Sequence, residues 1–265
     1  MKSLVLWFNQ LGSPPNFHRY ATRWMPWWFG AALALLAVGI YGALFVVPPD
    51  YQQGDSYRIL FIHVPCAWMS LFAYTVMAVQ AFIAIVWRIK LCEMLAMACA
   101  PIGAAFTVIT LATGSIWGRP MWGAWWDWDP RLTSELVLLF LYLGVIALDA
   151  SIEDRRRGAR AAGMLAMIGL INLPIIHYSV QWWNSLHQGR TIMLLGPSKM
   201  SASMIGPLLA TVLGMQCWFV GSLLSRARTL LVEREAGKAW VAAMASTEGR
   251  DPATGQPLRR ERTTP

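Results

Sequence analysis

The stretch Ile59–Trp87 reads ILFIHVPCAWMSLFAYTVMAVQAFIAIVW and contains no charged residue. A helix needs about 20 apolar residues to cross the hydrocarbon core of a bilayer, so this stretch is long enough to span one. A single run of this length and apolarity already separates the chain from ordinary soluble domains. The stretch therefore predicts an integral membrane protein.

Five further stretches have the same character, and together they predict six transmembrane helices. The predicted spans are Trp27–Val47, Ile59–Trp87, Met94–Thr113, Leu132–Leu148, Ala161–Tyr178 and Ile205–Leu224. Composition agrees, because 56% of the 265 residues are hydrophobic and only 14% are charged, whereas a soluble domain carries roughly 25% charged residues. The predicted fold class is an all-α integral membrane protein, with a six-helix domain over residues 1–225 and a cytoplasmic tail over 226–265.

The lysines and arginines predict the orientation of these helices. With the N-terminus in the cytoplasm, seventeen of the 22 basic residues lie on the inner side and five on the outer side, as the positive-inside rule requires. The outer five are Arg58, Arg119, Arg131, Arg190 and Lys199. We therefore expect both termini in the cytoplasm. The same distribution accounts for the net charge of +8 without a nucleic-acid partner.

This topology places three loops on the outer side. They are the short, turn-rich loop Val47–Arg58, a tryptophan-rich loop over residues 114–131 and the longest loop over residues 179–204. The chain contains no phosphate-binding loop of the G-x-x-x-x-G-K-[ST] type, so any nucleotide would be bound by another chain.

The second outer loop contains an unusual concentration of tryptophan. Residues Trp117–Asp129, here named the Trp-rich segment, read WGRPMWGAWWDWD and hold five tryptophans in thirteen residues. We expect its glycines and its proline to prevent a regular helix. One interpretation is an aromatic belt at the headgroup level, but a belt is distributed over many helix ends. A concentrated apolar platform instead indicates a binding site.

A planar macrocycle with an apolar body and acidic propionates suits such a platform. Tryptophan rings can stack or edge-pack on the macrocycle, and Arg119, Arg131 and Arg190 could contact its carboxylates. For each arginine, contact with lipid headgroups or a stabilising ion pair is an equal alternative. Asp129 either pairs with one of these arginines or caps the helix that follows.

The histidines are the candidate ligands of an iron atom. Three of the four, His63, His177 and His187, lie near the outer surface in this topology, and the fourth, His18, precedes the first span. Neutral imidazole is a common axial ligand of haem iron, although a single histidine is more often a structural residue. Two histidines beside one aromatic platform favour ligation. The residues alone leave either His177 or His187 as the partner of His63.

Local sequence suggests how each histidine is presented. Pro65 perturbs helical hydrogen bonding close to His63, near the outer end of the second span. If the stretch around His187 is helical, Trp183 lies on the same face, four residues earlier. His177 lies deeper in the fifth span, where we expect it to be packed.

The four cysteines, at positions 66, 92, 99 and 217, all fall inside predicted spans. They form neither a C-x-x-C pair nor the C-x-x-C-H motif of covalent haem attachment, so the chain is not itself a c-type cytochrome. We expect them to be core packing residues.

Several motifs resemble one family. They are Trp122–Asp129 (WGAWWDWD), Arg131–Leu136 (RLTSEL), His63–Pro65 (HVP) and Asn172–Ser179 (NLPIIHYS). These are similar to the tryptophan-rich haem-handling proteins, and among them to the CcmC family, the haem exporters of bacterial cytochrome c maturation. The resemblance covers most of residues 15–225.

The resemblance implies a site for haem b, held non-covalently on the periplasmic face by two axial histidines. These map onto His63 and His187. It also implies that the tryptophan-rich loop lies against the porphyrin. Taken with the arginines proposed above, the predicted haem-binding residues are Trp117, Arg119, Trp122, Trp125, Trp126, Trp128, Asp129, Arg131, Trp183 and Arg190.

The resemblance further implies a non-enzymatic subunit of the bacterial inner membrane. Its expected partners are the ABC-type subunits CcmA and CcmB, the small membrane subunit CcmD and a membrane-anchored haem chaperone, CcmE, which it loads. ATP hydrolysis by CcmA then releases the loaded chaperone. One alternative is a haem lyase that attaches haem to apocytochrome c, although the larger lyase-type relatives have more spans and more histidines. Another is a membrane scaffold with an aromatic belt.

Overall fold

The computed structural model describes residues 13–183, 185, 187 and 200–247. Six helices in this part of the chain are long and apolar enough to cross a membrane, which confirms the predicted number. The first to sixth spans are Pro14–Val46, Asp55–Trp87, Lys90–Trp122, Pro130–Ser151, Arg155–Trp182 and Ala202–Arg234. The regular secondary structure of the described residues is helical, and the all-α prediction is confirmed.

The helices extend beyond the predicted apolar stretches at most ends. The first span is an α-helix, Pro14–Tyr41, followed by a π-helical turn, Gly42–Val46. The second begins as a 3-10 turn, Asp55–Ile59, and continues as an α-helix, Leu60–Trp87. Hydropathy detects only the apolar part of a helix, whereas polar residues at its ends continue the same backbone hydrogen bonds.

The fifth span is interrupted near its middle. It consists of the helices Arg155–Gly169 and Asn172–Trp182, joined at Leu170 and Ile171. Pro174 explains the break, because it lacks the N–H that would bond to the Leu170 carbonyl and its ring crowds that carbonyl. The second half of this span is therefore a separate short helix.

Aspartates cap the fourth and fifth spans. Asp129 precedes Pro130, and its carboxylate accepts hydrogen bonds from the backbone N–H groups of Arg131 and Leu132. Asp154 accepts equivalent bonds from Arg156 and Arg157. Capping satisfies N–H groups that have no partner inside the helix. This cap is one of the two roles predicted for Asp129.

Small residues allow two of the helices to approach closely. The first span packs along the sixth, where a Cβ atom at Gly39 would lie 2.5 Å from Thr211 Cγ2 and one at Gly214 would lie 2.8 Å from Leu36 Cγ. This close packing of small residues is typical of membrane helix pairs. Neither glycine tolerates a larger side chain without displacement of the partner helix.

Buried polar groups join the second, fourth and fifth spans. The Tyr142 hydroxyl donates to the Ser70 carbonyl oxygen at 2.7 Å, and the side-chain amide of Asn172 donates to the Ser134 carbonyl at 2.9 Å. The Tyr142 ring packs edge-on against Tyr74 at 5.0 Å between centroids. Because lipid offers no hydrogen-bond partners, these internal bonds fix how the three helices are positioned.

The sixth helix continues beyond the predicted domain boundary at residue 225. It ends at Arg234, and a short helix, Ala239–Thr247, follows. Ala227 and Leu231 are fully buried. The bundle therefore includes the first part of the predicted tail, because its apolar residues at helical spacing pack against neighbouring spans.

Candidate functional site

A cavity of about 350 Å³ lies at the end of the bundle that carries the Trp-rich segment, and this end is here named the outer end. Its volume falls in the range of small-molecule binding sites. The second, third, fourth and fifth spans all contribute to its wall. The residues that bear on its chemistry are His63, Trp68, Trp117, Trp122, Arg131, Glu135, His177 and His187. This outer cavity thus brings together three of the predicted histidines.

His63 is held by the third span. Its Nδ1 atom lies 3.0 Å from the Thr113 hydroxyl, and that hydroxyl donates to the Ile109 carbonyl oxygen at 2.6 Å. The hydroxyl therefore accepts the Nδ1 hydrogen of His63. In the neutral ring this leaves the lone pair on Nε2, an atom that can bind a metal.

Gly114 makes room for the same imidazole. A Cβ atom at position 114 would lie 3.1 Å from His63 Cε1, which is closer than ordinary van der Waals contact. The His63 ring also packs edge-on against Trp117 at 5.7 Å between centroids. Thr113, Gly114 and Trp117, all on the third span, thus fix the ring from one side.

His187 is held by the cap of the fourth span. Its Nδ1 atom lies 3.1 Å from Asp129 Oδ1, and a carboxylate can only accept, so the Nδ1 hydrogen is donated to Asp129. Burial lowers the pKa of His187 from its ordinary value, and the Asp129 carboxylate opposes this shift. A lowered pKa favours the neutral ring, whose lone pair is on Nε2. Metal-binding histidines commonly donate the N–H of their second ring nitrogen to a carboxylate in this way.

His177 also lies at the outer cavity, contrary to the prediction that it is packed. Its side chain is exposed, lines the cavity and contacts the Tyr178 ring at 4.8 Å between centroids. The outer half of the fifth span packs against the fourth span through the buried Asn172, and Ile176, His177, Val180 and Gln181 of the same half line the cavity. All three histidines therefore line the outer cavity.

The first part of the Trp-rich segment is helical, so the prediction that glycine and proline prevent a helix there is wrong. The third span continues through Pro120 to Trp122 and ends at Gly123, which has φ 79°. A proline near the end of a helix removes one hydrogen bond, whereas a glycine in the left-handed region terminates the helix. The predicted loop 114–131 is thus reduced to residues between Gly123 and Asp129.

The five tryptophans of this segment do not form one platform. Trp117 and Trp122 line the outer cavity, and Trp122 packs edge-on against His187 at 5.1 Å between centroids. Trp125 and Trp128 are 59% and 72% exposed. Neither of them lines the cavity, and Trp126 does not line it either. The rings of Trp126 and Trp128 are in contact, at 5.6 Å between centroids. The helix fixes the first two rings beside the histidines, while the loop exposes Trp125 and Trp128 and leaves Trp126 half-buried.

The arginines also differ in position. Arg131 lines the outer cavity and is half-buried. Arg119 is exposed and donates to the Gly123 carbonyl oxygen, which stabilises the end of the third span. Arg190 lies outside the described residues. Of Arg119 and Arg131, the two predicted propionate contacts that the structure describes, only Arg131 is placed to contact a ligand in the cavity.

Trp183 does not share a helical face with His187. The helix of the fifth span ends at Trp182, and Trp183 has an extended backbone with φ −133° and ψ 158°. Its ring is half-exposed and packs against Trp182 at 5.8 Å. Trp183 is not among the residues that line the outer cavity.

Three lining or supporting residues were not predicted. Gln53 Oε1 accepts from Trp117 Nε1 at 3.1 Å, Thr113 holds His63, and the buried Glu135 accepts from the Ser70 hydroxyl at 2.7 Å. The sequence contains a signal for Glu135, since a carboxylate inside an apolar span is a functional candidate by default. Gln53 and Thr113 carry no comparable signal.

Comparison with known proteins shows the family of the chain. The family model described as "CcmC: Heme exporter protein C" matches residues 7–242. The chain is 48% identical over 242 residues to the "Heme exporter protein C" of Escherichia coli (strain K12), with 91% of this chain and 98% of the relative covered. It is 44% identical to the protein of that name from Haemophilus influenzae, with the same coverage. It is 46% identical to the "Heme exporter protein C" of Bradyrhizobium diazoefficiens, with 84% of this chain and 85% of the relative covered. The chain belongs to the heme exporter protein C family.

Proposed function

We propose that the protein binds haem in the outer cavity and presents it to a membrane-anchored haem chaperone during cytochrome c maturation. The observation that carries this proposal is that His63 and His187 lie at the same cavity. Both line one cavity, and each has its Nδ1 hydrogen engaged by a neighbouring residue. Their Nε2 atoms therefore provide two imidazole ligands from two different segments of the chain.

The rest of the cavity suits the macrocycle. Trp117 and Trp122 supply apolar rings next to the two histidines, and aromatic rings pack well on a porphyrin. Arg131 supplies a cation for a propionate, and arginine binds carboxylates with two parallel hydrogen bonds. The haem is haem b, held without a covalent bond, so it can be released when an axial bond opens.

Family membership supports an exporter in preference to an enzyme. The relatives are named heme exporters, a name that describes transport and not catalysis. The chain has six candidate spans among its described residues, whereas the larger haem lyases have more. A purified protein that attached haem to apocytochrome c without other subunits would instead support the lyase alternative.

The proposed setting is the bacterial inner membrane, with the outer end in the periplasm. The distribution of lysine and arginine supports this orientation. Reporter fusions at positions 2 and 262 should be cytoplasmic, and fusions within 123–128 should be periplasmic. The proposed partners are CcmE, which receives the haem at the exposed Trp125 and Trp128, together with the ABC-type subunits CcmA and CcmB and the small subunit CcmD.

The absorption spectrum of the purified protein tests the haem site. The wild type should show low-spin haem, and His63→Ala or His187→Ala should lose that spectrum and deliver little haem to the chaperone. Added imidazole should partly restore binding, because it fills the vacated axial position. His177→Ala is the matched control and should retain the low-spin spectrum. Loss of haem in His177→Ala with retention in His187→Ala would show that the second ligand is His177.

A further inference from the structure

A second cavity, of about 280 Å³, lies at the opposite end of the bundle from the haem site. It is here named the inner cavity. The end of the second span, the start of the third and the start of the fifth form its wall. Four cations line it, namely Arg88, Lys90, Arg156 and Arg160. The proposed function makes no use of this cavity.

The four cations of the inner cavity outnumber the carboxylates that line it. All four cations are exposed, and none has an ion pair or a side-chain hydrogen bond to another residue that the structure describes. The lining contains one carboxylate, Glu93, which is already paired with Arg234 of the sixth span. Asp154, close by in the chain, is exposed and engaged in capping the fifth span and pairing with Arg157.

Backbone geometry at this end of the bundle contributes charge of both signs. The third and fifth spans begin at Lys90 and Arg155 with the partial positive charge of helix N-termini, while the second span ends at Trp87 with the partial negative charge of a C-terminus. Arg88 links the second and third spans and has φ 57°, in the left-handed region. A glycine would adopt this conformation without steric cost, so the arginine at this position brings charge at some cost in backbone strain.

The depth of the inner cavity is apolar. Ala81 and Ile85 of the second span, Ala96 and Met97 of the third, and Ala159 of the fifth form its wall. Below them the second and fifth spans approach closely, since a Cβ atom at Gly163 would lie 3.2 Å from Ala81 Cβ. The cavity therefore combines a cationic rim at the end of the helices with an apolar wall along them.

We propose that the inner cavity binds an anionic phospholipid of the cytoplasmic leaflet. The phosphate groups lie among the four cations, and the first part of an acyl chain lies against the apolar wall. Basic pockets between membrane helices on the cytoplasmic side suit such headgroups. Four cations match the two phosphates of a cardiolipin-type lipid better than the single phosphate of phosphatidylglycerol. The positive-inside rule requires cations in these connections, but it does not require them to surround one cavity.

Native mass spectrometry of the full-length, delipidated protein in detergent tests this site. Cardiolipin should bind more tightly than phosphatidylglycerol, and phosphatidylethanolamine and inorganic phosphate should bind weakly. Each lost cation should weaken cardiolipin binding about fivefold. Arg88→Gly is an informative variant, because it removes a charge and relieves the backbone, so a folding defect is not expected.

Arg157→Gln is the matched control. Arg157 is an exposed arginine of the same connection, paired with Asp154, and it is not among the lining residues. The proposal is overturned if Arg157→Gln weakens cardiolipin binding as much as Arg88→Gly and Arg160→Gln do. It is also overturned if phosphatidylethanolamine binds as tightly as cardiolipin, or if inorganic phosphate binds as tightly as the lipid. The low-spin haem spectrum should be unchanged in all of these variants, so the result is independent of the haem site.

Discussion

Asp129 Oδ1 accepts the Nδ1 hydrogen of His187 at 3.1 Å and the backbone N–H of Arg131 at 2.9 Å. One carboxylate oxygen therefore joins the N-terminus of the fourth span to a histidine that is distant in sequence. The fourth span is anchored in the core through Ser134 and Tyr142. Because Asp129 is fixed by the helix that it caps, the orientation of the His187 ring is fixed by the bundle.

Asp129→Ser should separate these two roles. Serine caps helices about as well as aspartate, so the free energy of unfolding should change by less than about 0.5 kcal/mol. The shorter side chain cannot reach His187, and the low-spin haem spectrum should be partly lost. Asp129→Ala should lose the spectrum and also about 1 kcal/mol of stability. A wild-type spectrum in the serine variant would mean that Asp129 serves as a cap alone.

Gly114→Ala should disturb His63 without removing it. The added methyl group would lie 3.1 Å from His63 Cε1, so the imidazole must shift away from Thr113 or the helix must move. Haem retention should fall several-fold in a titration of the purified protein. Gly30→Ala is the control, since nothing lies within 4 Å of its added Cβ, and alanine in a helix stabilises by roughly 0.5–1 kcal/mol. Equal haem retention in both variants would contradict the proposed role of Gly114.

The sequence predicts the six spans well, because each contains an apolar run such as Ile59–Trp87 that only a membrane helix explains. It does not predict where the helices end. Pro120 predicts an interruption of the helix, yet the helix continues past it and is terminated at Gly123, since the effect of a proline depends on its distance from the helix end. The sequence also predicts that His177 is packed, whereas it lines the outer cavity. Which face of a helix is covered depends on the neighbours of that helix, and these are not visible in the local sequence.

The composition of the site was only partly predictable for a related reason. His63, His187, Trp117, Trp122 and Arg131 were expected and line one cavity. Their supporting residues, such as Gln53 and Thr113, come from other segments and have no motif of their own. Contacts between residues that are distant in sequence depend on helix packing, which local patterns do not encode.

Arg131→Gln should weaken haem binding by removing a cation from the outer cavity. A charge-assisted hydrogen bond contributes about 1.5–3 kcal/mol, so the dissociation constant should rise about 10- to 150-fold. Arg119→Gln is the matched control, because Arg119 bonds to the Gly123 carbonyl at the surface. Haem titration followed by absorption should show a change in the first variant only. A similar loss in both would indicate a general effect of charge at the outer end.

The division of the tryptophans between cavity and surface predicts two separable phenotypes. Trp122 packs on His187, so Trp122→Ala should weaken haem retention, by about 0.5–1.5 kcal/mol beyond the loss of buried area. Trp125 and Trp128 are mostly exposed and are not among the residues that line the cavity, so the double alanine variant should retain haem with an unchanged spectrum. Exposed aromatic rings at a water-facing loop are suited to a protein partner.

The double variant should therefore fail at the later step, transfer of haem to the chaperone. Transfer is measured by incubating haem-loaded protein with the purified apo-chaperone in nanodiscs and following the haem that leaves with the chaperone. Trp122→Ala should deliver haem in proportion to what it still holds, whereas the Trp125 and Trp128 double variant should hold haem and deliver little. Normal delivery of haem by the double variant would show that Trp125 and Trp128 are not part of the surface that docks the chaperone. If the double variant loses haem, Trp125 and Trp128 contribute to haem binding, because rings that contact only the chaperone have no effect on the iron.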